Sequence, residues 1–223
     1  MHVKTAHTQG NPNIGLYAYA TDKYCILGPE AWNLKGDIER VLKVPVIMTT
    51  IAGTSLPGVF LAGNSKHLLV PGIAFDHEIE KLKKAGIDVK VFNTINTALG
   101  NNMIVNDHSC LVGPMFGTKE QEDLSRLLGI PVKQLSVADV EVVGSCSAIN
   151  DKGGLIHRDA RRFEQDMIMD SLEIPKLLPG TTNLGVPYVR SGIIANTNGF
   201  LIGAASGGPE IANADEALGF IEG

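Results

Sequence analysis

The chain has 223 residues, 44% of them apolar and 19% charged, with a formal net charge of −5. That balance excludes a disordered polar segment, and its acidity argues against a protein that mainly clamps nucleic-acid phosphates. No apolar run approaches the ~18 residues of a membrane span, and the start of the chain, MHVKTAHTQG, carries no apolar targeting stretch. Three cysteines (Cys25, Cys110, Cys146) without a CxxC pair fit reduced thiols in a cytoplasmic protein.

In chain order, Val3, Val46, Val89 and Val132 each open a short extended run, at a constant step of 43 residues. Gly15, Gly58 and Gly144 keep that step, with Asn101, beside Gly100, in the place between them. A fixed period of this size signals a radial or stacked repeat. Five units follow, at about 13–53, 54–100, 101–144, 145–185 and 186–223, each reading as strand, tight turn, strand, helix, strand. Unit one offers strands at Ile14–Tyr19 and Tyr24–Leu27 and a helix-compatible piece at Lys35–Lys43. Unit two offers Val59–Ala62, the turn Gly63-Asn64-Ser65, His67–Val70, and a helix over Asp76–Ala85 with Asp76 as its cap. Unit three has Met103–Val105, Cys110–Val112 and a helix capped by Thr118. Unit four has Ser145–Ile149, Leu155-Ile156 and a helix from about Arg162 to Leu172. Unit five has Gly192–Ala195, Phe200–Ile202 and a short helix ending near Leu218.

Unit five lacks a last strand, while Val3–Thr8 stands before unit one as a strand with nothing ahead of it. The simplest solution is that residues 2–8 complete unit five and close a ring, which removes the exposed edges of a linear array. A linear solenoid is the alternative, but its end units would need polar caps. A β-propeller shares the period, yet about ten helical residues per unit leave no room for a fourth strand.

Several blocks carry a family resemblance: Thr49-Thr50-Ile51-Ala52-Gly53, LLVPG (68–72), TALGN (97–101), SVADVEVVGS (136–145), DKGGLIH (151–157) and GTTNLG (180–185). Their ordered set, from about residue 3 to 219, resembles the archaeal and eukaryotic translation initiation factor 6 family. The resemblance implies an α+β pentein fold, a closed five-fold pseudosymmetric toroid of ββαβ repeats forming one domain over 1–223. It also implies a non-enzymatic, monomeric protein that binds the large ribosomal subunit and blocks joining of the small one, with a part in large-subunit maturation. The contacts implied are ribosomal proteins, with rRNA near the sarcin-ricin loop, and neither DNA nor membrane. Family positions place the binding surface on one end of the toroid, here Gly15, Leu56, Gly58, Val59, Gly100, Asn101, Ser145, Cys146, Tyr188 and Arg190. Eukaryotic members carry an arginine where this chain has Val59, so a phosphate contact by that side chain is lost. They also carry a C-terminal extension that this chain lacks.

Other pentein proteins are guanidino-group hydrolases with a Cys nucleophile, a His and acidic residues at the central channel, the nucleophile lying in the last unit, which makes such an enzyme the competing reading. Here no Cys follows Cys146 and no His follows His157. Cys25 and Cys110 lie inside predicted strands, where a buried apolar role is ordinary. The histidines show no paired metal spacing, so no metal, cofactor or catalytic group is expected. Asp107-His108 falls at a hairpin turn, where turn chemistry accounts for it. The Gly203–Pro209 run could cradle an anion, but it lacks the Lys-Ser/Thr of a P-loop and reads as a structural link. His157, Arg158, Arg161 and Arg162 form a dense basic patch that reads first as solvated surface.

Overall fold

The computed structural model describes residues 2–221 as five three-stranded sheets arranged in a ring. Unit one contributes β2 (Ala18–Ala20), β3 (Cys25–Leu27) and β4 (Val46–Met48). Unit two contributes β5 (Ala62–Gly63), β6 (Leu68–Pro71) and β7 (Val89–Phe92). Unit three contributes β8 (Met103–Val105), β9 (Cys110–Val112) and β10 (Val132–Gln134). Unit four contributes β11 (Ser147–Asn150), β12 (Gly153–His157) and β13 (Leu177–Gly180). Unit five has β14 (Ile193–Asn196) and β15 (Gly199–Gly203), and its third strand is β1 (Val3–Ala6). In every sheet a hairpin pairs two strands antiparallel and a third strand pairs parallel with the second of them; in units one to four a helix crosses over to that third strand, whereas in unit five β1 supplies it. The parallel register Val3↔Phe200 to Ala6↔Gly203 closes the ring as expected.

The middle strands β3, β6, β9, β12 and β15 are buried at every residue. Successive side chains of a strand point to opposite faces, so each middle strand feeds two cores. Cys25 and Leu27 pack with Leu34, Ile38 and Leu42 of unit one, whereas Ile26 packs with Leu61, Leu68 and Leu82 of unit two. Every core is shared in this way between neighbouring units, and the one around Ile38 draws Ile194 and Leu201 from unit five. Burial on both faces explains why these segments read as continuous apolar runs without alternation.

Helices span Lys35–Leu42, Asp76–Lys84, Thr118–Leu128, Arg162–Leu172 and Gly208–Ala217. Two expected caps are displaced: the residues before the helices, Phe75 and Gly117, hold the cap positions in place of Asp76 and Thr118. The reason is a glutamate three residues further on. Glu78, Glu120, Glu164 and Glu210 each accept from the cap backbone N–H, at 2.9, 3.1, 2.7 and 2.9 Å. Their other bonds reach the loop after a third strand: Glu78 takes Thr50 Oγ1, Ala52 N and Gly53 N, and Glu210 takes Thr181 Oγ1, Leu184 N and Gly185 N. Burial alone would raise these two carboxyls, but those donors together hold both below the usual carboxylate range. The Gly203–Pro209 link therefore offers no free anion cradle, because Glu210 already occupies the Gly207 N–H.

A second correction concerns the segments expected as first strands. In units one, two and four the expected strand begins inside a single helical turn (Ile14–Tyr17, Pro57–Phe60, Val143–Cys146), while in unit three Met103–Val105 is the strand β8 as expected and in unit five only Gly192 of the expected strand lies in a turn. Equivalent turns at Leu99–Asn102 and Val189–Gly192 complete the set, each leading into the first strand of its unit. These inner turns touch one another in sequence round the axis.

Candidate binding face and central channel

The inner turns form one end of the ring, and glycine sets their spacing. A Cβ on Gly58 would fall inside contact distance of the Gly15 carbonyl oxygen, one on Gly100 of the Gly58 carbonyl, and one on Gly144 of the Gly100 carbonyl. Gly15 meets the Arg190 carbonyl in the same way. The equivalent positions are therefore Gly15, Gly58, Gly100, Gly144 and Arg190, one residue earlier in units three and four than Asn101 and Ser145. None of these four glycines has positive φ, so close approach, and not a left-handed turn, is what requires them.

The ten expected face residues divide into three groups. Gly15, Gly58, Gly100 and Cys146 are buried and build the end without presenting a side chain. Leu56, Val59, Asn101, Ser145 and Tyr188 are partly exposed on it, Tyr188 most of all at 43%. Leu56 and Tyr188 occupy the same place in their units, immediately before an inner turn. Asn101 makes no side-chain hydrogen bond among the described residues, while Ser145 Oγ is committed to the Val142 carbonyl at 2.7 Å. Tyr188 is braced edge-on by the buried ring of His157, with centroids 5.6 Å apart. Burial, the largest influence, pulls the His157 imidazole below its ordinary range. Its Nδ1 accepts from the Asp159 N–H at 3.2 Å, which assigns the ring proton of the neutral form to Nε2.

Arg190 forms the third group alone. It lines the channel along the ring axis, a cavity of about 190 Å³ that also touches Tyr19, Ile194 and the hairpin tips around Asp22, Asp107 and Asp151. Among the described residues, no cysteine and no histidine lines this channel. Burial raises all three thiols, Cys146 to about 11 and the strand residues Cys25 and Cys110 further. No group of three or more His, Cys, Asp or Glu among the described residues is placed to hold a metal ion. No helix among them is long and apolar enough to cross a membrane.

The basic patch is largely paired. Arg161 meets Asp139, Arg162 meets Asp166 at 3.0 Å, and Arg158 lies 3.5 Å from Asp159. Such exposed pairs contribute little to stability, but they reduce the positive field available to a phosphate.

A second set of residues escaped sequence reasoning. At the hairpin tips, Asn64, Asn106, Asn150 and Asn196 accept from two backbone N–H groups of their own turns through Oδ1. Through Nδ2 they donate to the last carbonyls of the next unit's helix, at Leu128, Leu172, Leu218 and Leu42. An asparagine opening each hairpin turn was the available signal; its partner lies more than sixty residues away in three of the four cases and further in the last.

A closed ring of five such units, with fused cores and a polar channel, is a pentein of the α+β class. Residues 3–217 match the eIF-6 family. The translation initiation factor 6 of Pyrococcus horikoshii is 35% identical over 228 residues, covering 99% of this chain and 100% of the relative. That of Pyrococcus furiosus is 37% identical with the same coverage, and that of Saccharolobus islandicus 34% identical over 98% and 100%. The chain belongs to the eIF-6 family. Among solved structures it is similar to a DDAH of Pseudomonas aeruginosa complexed with citrulline, at 10% identity and a TM-score of 0.49, over 75% of this chain and 70% of that one.

Proposed function

We propose that this protein binds the intersubunit face of the large ribosomal subunit as a single-domain monomer in the cytoplasm and sterically prevents the small subunit from joining. Family membership supports a role in translation initiation. The observation that carries the finer reading is the inner-turn end: Leu56, Val59, Asn101 and Tyr188 sit partly exposed on a frame fixed by glycine-to-carbonyl contacts. Apolar and aromatic side chains on a rigid frame suit the centre of a protein interface, since little order is lost when they dock. The partner surface is ribosomal protein, with rRNA near the sarcin-ricin loop as a further contact, and a role in large-subunit maturation goes with it. Nothing in this mechanism forms or breaks a bond. Its effect follows from occupancy and so scales with concentration relative to Kd. Sucrose-gradient sedimentation of the purified protein with separated subunits tests it: the protein should travel with large subunits and lower the yield of joined ribosomes. Co-sedimentation with small subunits alone would end the reading.

A further inference from the structure

Among the described residues, the Arg190 guanidinium makes no hydrogen bond or ion pair, and its Nε–H is sealed from solvent with no partner. The residue as a whole is only partly buried, but a sealed donor left without an acceptor is costly, and a bound anion is the ordinary remedy. The position is singular, because the equivalent places in the other four units are glycines. Among the described residues, Arg190 alone sends a side chain from the inner turns into the channel.

The channel is chemically polar along its length. Arg190, on its inner turn, and Tyr19, on β2, both line it and lie close enough to interact. Asp22, Asp107 and Asp151 stand at the hairpin tips on the opposite side. Two of these carboxylates are partly engaged: Asp22 accepts from Thr197 N and Oγ1, and Asp107 from Ser65 N. Asp151 has no such donor, and burial followed by the two neighbouring aspartates pushes its carboxyl above the usual range. Lys23 also lines this end, with its Nζ donating to the Ser65 carbonyl at 2.8 Å, so three carboxylates face one lysine there. A free anion would meet these carboxylates, and a free cation would meet Arg190. A molecule bearing both charges satisfies both ends.

We propose that the channel is a binding site for a small zwitterion, whose carboxylate pairs with Arg190 beside the Tyr19 hydroxyl and whose ammonium lies among the hairpin-tip aspartates. A guanidinium holds a carboxylate through two parallel N–H donors, which gives the site its direction. The site is separate from the end face, since Arg190 turns inward while Tyr188 and Leu56 remain outside.

The test is calorimetric titration of the whole protein with glycine, β-alanine, 4-aminobutyrate and 6-aminohexanoate, with sodium acetate, sodium chloride and methylammonium chloride as controls. One chain length should bind saturably with a Kd of about a millimolar or tighter, at least about tenfold tighter than acetate or methylammonium. That binding should vanish in Arg190→Met, and weaken in Tyr19→Phe and in Asp151→Asn. Should Arg190→Met fail to fold, the wild-type series and the two milder variants decide. Absence of saturable binding by every amino acid, equal binding of acetate, or indifference to all three substitutions would overturn the proposal.

Discussion

The side-chain amide of Asn196 donates to the carbonyl of Leu42 at 2.9 Å, across 154 residues of sequence and across the seam where unit five meets unit one. The same amide reaches the Thr21 carbonyl at 3.2 Å, and its Oδ1 holds the Asn198 and Gly199 N–H groups. Asn196 is almost fully buried, so removing it strands several polar groups in the dry interior. Asn196→Ala should cost about 2–3 kcal/mol of unfolding free energy. Asn106→Ala, at a more open site, should cost about 1 kcal/mol. Urea unfolding of both gives the order; equal losses would mean that burial at the seam is not what counts.

Removal of the first eight residues strips β1 from β15 and leaves the middle strand of unit five as an edge. It also deletes the His2–Asp215 contact at 2.8 Å. Because the cores are shared, the loss should spread beyond unit five and lower the melting temperature of the whole protein. A truncated chain that melts with the full-length one would show that the ring does not depend on this closure.

Gly58→Ala places a methyl group against the Gly15 carbonyl, where backbone on both sides resists movement. The expected loss is about 3 kcal/mol, at the top of the range for overpacking. Gly36→Ala, which meets nothing, serves as the control and should be neutral or stabilising. The glycine variant should therefore lose binding through its fold, not through a lost contact.

Face variants should behave in the opposite way. Tyr188→Ala should weaken binding to large subunits by about 2 kcal/mol, roughly thirtyfold in Kd, with the fold intact. Asn101→Lys should also weaken it, whereas Arg161→Ala should do little, because Arg161 is already paired with Asp139. Affinity should fall with salt less steeply than the ~10³-fold or greater loss of a protein making many phosphate contacts. Normal binding by Tyr188→Ala and Asn101→Lys beside a large loss in Arg161→Ala would move the site to the basic patch.

Stability should fall with acidification in two stages. His157 has a folded-state affinity for protons below its unfolded one, so the unfolded chain binds the proton first and stability declines as pH drops below about 6.5. Glu78 and Glu210 are also depressed, so their contribution is complete above about 4.3 and disappears as pH falls through their folded values. Denaturation midpoints measured from pH 8 to pH 3 should show both stages, with the upper one absent in His157→Gln. An unchanged upper stage in that variant would assign it to another group.

The five units and their closure were legible because Val3, Val46, Val89 and Val132 each begin a third strand, at one fixed spacing. The fifth such strand begins at Leu177, off the step, so the period fades there. Parts of the inner turns of units one, two and four were read as strand because a few apolar residues followed by a short strand show the same pattern as a longer strand. The caps were misplaced because Asp76 and Thr118 have suitable side chains, while Glu78 and Glu120 hold the cap N–H groups from inside the helix. The face residues came from family resemblance, and the structure separates those that present a side chain from those that only shape the backbone. The inward turn of Arg190 could not be read, since it depends on glycines in four other places.

The pairing of Val3 with Phe200 has a consequence for how the protein is made. The strand that seals the ring is synthesised before every other strand of the ring, and its partner after all of them. Until that partner emerges, β1 has no sheet to join, and the core around Ile38 waits for Ile194 and Leu201. The nascent chain must therefore carry an unsatisfied strand and half-built cores while the four intervening units are made, and final consolidation waits until β15 has emerged.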